Sequence, residues 1–116
     1  MSGQILHKNL ASGRWFELTL AQQMGNIGSE VSRAWLAQGK DEVRFWGAVA
    51  RGQELFFLTL ADKRWSAGRK KEICRAYEVF CDAATGGKEY SSGLESLDRY
   101  FTYFGLLGSD KKLIRH

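Results

Sequence analysis

The sequence predicts an all-α chain folded as an up-down-up-down four-helix bundle. Three observations carry this. Proline is absent from all 116 residues, although average usage of about 5% would place about six in a chain this long. No Asn-Gly or Asp-Gly pair offers a hairpin turn. Large apolar residues recur at steps of three and four in four successive stretches, the period of a helix face.

The first stretch, Arg14 to about Gln38, carries Phe16, Leu20, Met24, Ile27, Val31 and Trp35. Ser12 precedes it and Gly39 follows, suitable start and stop signals. Gly25 and Gly28 lie inside it, each costing about 1 kcal/mol relative to alanine, so a close helix neighbour or a local bend is expected there. Asp41 caps a second helix to about Asp62, with Phe45, Val49, Gly52 and Phe56 inward. A second stripe of Trp46, Gln53, Phe57 and Leu60 makes the stretch Leu55–Leu60 apolar nearly all round. Such a helix is covered on more than one side.

Ser66 caps a third helix to about Ala84, with Ile73, Tyr77, Phe80 and Ala84 inward, ended by Gly86-Gly87. A fourth carries Leu94, Leu97, Phe101 and Phe104. With short connections, consecutive helices become antiparallel neighbours. The expected core includes Leu20, Ile27, Val31, Phe45, Phe56, Tyr77, Phe80, Leu97 and Phe101. Residues 14–108 form one bundle domain, flanked by a flexible arm over 1–13 and a basic tail over 109–116.

Composition excludes several classes. Hydrophobic residues make up 44% and charged residues 26%, ordinary for a globule and wrong for disorder. No apolar run approaches the ~20 residues of a membrane span. The N-terminus has no apolar stretch of signal-peptide length, which points to the cytoplasm. Cys74 and Cys81 lie two turns apart on one helix, about 10.5 Å by helix rise, too far for a disulfide. They read as small core residues, and no further soft ligands stand near enough to complete a zinc site.

An enzyme is not expected. Both histidines, His7 and His116, fall in the predicted flexible ends, where neither can build a rigid nucleophile–base pair. Glu-x-x-His motifs of di-iron bundles and phosphate-cradling glycine loops are absent. Glu17, Glu30, Glu54 and Glu78 read as solvated or ion-paired helix edges. No metal or cofactor is expected.

Charge is more informative. The chain carries 17 basic and 13 acidic residues, for a net +4. Residues 63–75 hold Lys63, Arg64, Arg69, Lys70, Lys71 and Arg75 against the single acid Glu72, or 6 − 1 = +5. All the excess positive charge therefore sits in one corner, where basic side chains oppose the helix dipole. Arg44 and Arg51 extend the patch as weaker candidates, and Trp65 within it either stacks on a base or anchors the loop. The corner is a candidate phosphate-binding surface for RNA or DNA, non-specific and salt-dependent.

The apolar surplus predicts a homo-oligomer, with Trp46, Leu55, Phe57, Leu58, Tyr100, Tyr103 and Phe104 at the interface.

A basic bundle with a wide apolar second helix and no catalytic residues resembles a known superfamily. Its members are the bacterial intervening-sequence proteins of ribosomal RNA genes and the accessory variability determinant of diversity-generating retroelements. Asn26-Ile27 with Glu30 resembles an Asn-Ile-x-Glu element of the former. Arg44-Phe45, then Ala50, Gly52 and Glu54-Leu55, resembles their next helix, with the Phe-to-Gly spacing shifted by one. The similarity spans about residues 15–60. It implies a pentamer of bundles that binds nucleic acid and, for the retroelement branch, a reverse transcriptase partner. The alternative expectation is a protein-interaction subunit of toxin–antitoxin or phage-defence type, acting through exposed apolar helix surface.

Overall fold

The computed structural model of the chain describes residues 13–86 and 93–102. A 3-10 turn over Arg14–Glu17 leads into α1 (Leu20–Ala37), α2 (Glu42–Leu60) and α3 (Ala67–Thr85), and residues 93–102 form α4. The fold is an all-α four-helix bundle, and no strand occurs among the described residues. The arm apart from Gly13, the 109–116 tail, both histidines, Tyr103 and Phe104 lie outside the described residues.

Local chemistry sets the helix starts. Asp41 accepts a hydrogen bond from the Arg44 amide at 3.1 Å, and Ser66 does the same for Arg69 at 3.1 Å, as the sequence predicts. The first helix departs from expectation. It begins at Leu20, not near Arg14, because Thr19 and Gln22 form a reciprocal capping box. Leu18 and Thr19 are extended, so the helical stripe counted through Phe16 is broken. The break turns Trp15 into the core, where its indole donates to the Thr59 hydroxyl at 3.1 Å. At the other end Gly39 takes φ +77°, a left-handed position that lets the chain turn from α1 into α2.

Phe56 is the centre of the core. Its ring lies 5.4 Å from Tyr77, 5.6 Å from Phe80 and 6.1 Å from Phe101, so α2, α3 and α4 meet there. Two glycines permit this packing. A Cβ on Gly28 would lie 2.8 Å from the Phe101 Cβ, and one on Gly52 would lie 2.9 Å from the Phe80 ring. Gly25 has open space instead, so only Gly28 of that pair serves a close approach.

Seven of the nine expected core residues are buried; Leu20 and Tyr77 are only half-buried. The cysteines are corrected as well. Cys74 is exposed and Cys81 half-exposed, because the inward face of α3 runs through Ile73, Ala76, Phe80, Ala83 and Ala84. Leu55 is buried within the protomer, which removes it from any interface.

Candidate nucleic-acid interface

The basic corner forms one end of the bundle, where the α2–α3 loop meets the N-terminal turn. Asp62 organises it. Its carboxylate is 1% exposed and accepts the Gln23 amide at 2.9 Å, the Arg64 backbone N–H at 3.0 Å, and Arg64 Nε and Nη2 at 3.0 and 2.7 Å. The Arg64 hydrogen bonds outweigh burial and hold the carboxyl down at about 2. In return Asp62 raises the pKa of the guanidinium. Arg64 also donates to the Leu18 carbonyl at 2.6 Å and lies over the Trp65 ring, 4.4 Å from its centroid. Trp65 in turn donates to Gln23 Oε1 at 2.9 Å and packs against the core. Of the two readings open for Trp65, the structure shows the loop anchor.

The six cations of residues 63–75 do not share one face. Successive helix residues turn by about 100°, which sends Arg69, Lys70 and Lys71 in three directions. Arg64 is committed to the fold, and Arg69 forms an ion pair with Glu72 at 3.4 Å. Lys63 and Lys70 remain at the bundle end, exposed and half-exposed, with no ion pair to a described residue. Between them, Ala67 and Gly68 begin α3, whose first N–H groups have no intrahelical acceptor. Lys71 and Arg75 point to a separate, exposed side of α3.

Arg44 and Arg51 do not extend this corner. Arg44 lies sixteen residues before the end of α2, about 24 Å by helix rise. Both instead join Arg33 and Lys40 around a recess of about 500 Å³ between α1 and α2, floored by Leu36 and Ala37. Buried Glu30 holds two of these cations, Arg33 at 3.0 Å and Arg51 at 3.2 Å. Asp41 takes Arg44 at 3.4 Å. Pairing accounts for Glu30 as the sequence expects, although its burial is a further finding.

Of the expected interface residues, Trp46 is 46% exposed and Phe57 55%, whereas Leu58 and Tyr100 are half-buried. Val43, which stands outside that set, is 84% exposed. With Ala50 it joins Trp46 and Phe57 on the outer face of α2. No group of three His, Cys, Asp or Glu residues among those described is placed to hold a metal ion. No helix among them is long and apolar enough to cross a membrane.

No known protein family, curated protein or solved structure matches the chain.

Proposed function

We propose that this protein is a non-catalytic accessory protein that binds the phosphate backbone of RNA or DNA at the α2–α3 end of its bundle. The observation that carries this is the pair Lys63 and Lys70. Neither is spent on a described carboxylate, and they flank the open N-terminus of α3. Amide N–H groups and the positive end of the helix dipole favour an anion there, and flanking ammonium groups add to the attraction. Arg69 contributes where its pairing to Glu72 yields to a phosphate. Contacts of this kind position a backbone and carry little sequence information.

The test is binding of a structured RNA and a duplex DNA at two or more salt concentrations, comparing the native chain with Lys63→Glu/Lys70→Glu. Losing two phosphate contacts should flatten the slope of log affinity against log salt by about 1.8 on duplex DNA, or about 1.4 on single strands. An unchanged slope and affinity would end this reading. A protein-interaction subunit is the second reading, favoured by the exposed Val43, Trp46 and Phe57. Neither reading requires a reverse transcriptase.

A further inference from the structure

The outer face of α3 carries Lys71, Arg75, Glu78 and Asp82 at steps of four, three and four, all exposed. None forms an ion pair with a described residue; the helix's one such pair is Arg69–Glu72, off this stripe. In an isolated protomer two of the three steps along the stripe are unfavourable; only Arg75 and Glu78 bring opposite charges one turn apart. Lys71 and Arg75 are like charges one turn apart, and so are Glu78 and Asp82, arrangements that destabilise a helix. The bases sit toward the N-terminus and the acids toward the C-terminus, the reverse of what the dipole favours.

We propose that this stripe is the interface for a second copy of the chain, docked through an antiparallel pairing of the two α3 helices about a two-fold axis. The charge order is self-complementary in that arrangement. With the axis between Arg75 and Glu78, Arg75 faces Glu78 of the second copy and Lys71 faces its Asp82. The same contacts repeat on the other side of the axis, as an isologous interface requires. A phosphate backbone fits worse, because Glu78 and Asp82 repel it. An acidic or basic protein surface would satisfy only half of the stripe.

Charge fixes register and orientation more than it supplies affinity. The apolar part comes from Phe57. Its ring lies 5.3 Å from Tyr77, which places it level with the middle of the stripe. It is also more than half exposed. A two-fold axis at that level brings Phe57 of both copies together beside the charged pairs. This inference stands apart from the phosphate reading, which uses Lys63 and Lys70 and leaves the stripe alone.

Light scattering on the native chain at about 100 μM and low salt should give about 26 kDa, twice the 13.1 kDa of one chain. Lys71→Glu/Arg75→Glu makes the stripe wholly acidic and Glu78→Lys/Asp82→Arg makes it wholly basic. Each variant should be monomeric, with circular dichroism showing retained helix, since all four sites face solvent. Mixing the two should restore about 26 kDa, and so should the fourfold exchange within one chain. Phe57→Ala should weaken association of the native chain at least tenfold. A native monomer, an odd-numbered assembly, or a dimer indifferent to both single-sign variants would overturn the proposal.

Discussion

Gln23 Nε2 donates to Asp62 Oδ2 at 2.9 Å across 39 residues of sequence, and neither side chain reaches solvent. The same nitrogen donates to the Trp15 carbonyl at 2.9 Å, and Gln23 Oε1 accepts from Trp65. One amide therefore joins α1, the N-terminal turn and the α2–α3 loop.

Asp62→Ala should destabilise the fold by about 3 kcal/mol, because it strips Arg64 of its carboxylate and leaves the buried Gln23 donor short of a partner. Urea unfolding followed by circular dichroism measures this. A loss below about 1 kcal/mol would show that the network contributes little.

The same carboxylate sets an acid limit on stability. Its pKa falls from 3.8 to about 2 on folding, so the unfolded chain binds the proton more tightly. Its contribution is complete above about pH 4 and is lost as pH drops through 2. The shift corresponds to about 2 kcal/mol. Denaturation midpoints measured from pH 5 to pH 2 should decline, and Asp62→Asn should decline less over that window.

Gly25, Gly28 and Gly52 should respond differently to alanine. Gly28→Ala meets Phe101 and Gly52→Ala meets Phe80, both buried, and overpacking of this kind costs about 1–3 kcal/mol. Gly25→Ala meets nothing and should stabilise by up to about 1 kcal/mol. Thermal melts of the three variants check the order. A destabilising Gly25→Ala would contradict the open space at that position.

The reach of the sequence follows from the range of each interaction. Asp41 and Ser66 act on amides three residues away, so both caps could be read directly. Thr19-x-x-Gln22 was equally local, yet the regular step from Phe16 to Leu20 masked it. The cysteines were misplaced by helix phase: Ile73 and Phe80 are inward, and their neighbours Cys74 and Cys81 are turned 100° away. The same phase effect scatters the cations of residues 63–75, since adjacent side chains on a helix diverge. Asp62 and Gln23 carry no pattern at all, because their partnership exists only once α1 and α2 have packed.

The cross-links to Asp62 and Gln23 also determine how the basic end meets a charged ligand. A free six-residue connection would have to be ordered on binding, at about 1–2 kcal/mol per residue of backbone entropy. Between α2 and α3, that ordering is already complete before anything arrives. Asp62 and Arg64 are fastened by four hydrogen bonds among themselves and Gln23, and Trp65 by a fifth. Lys63 is thus carried on a stiff platform, and its charge is presented at a fixed place with only its own side chain left to immobilise.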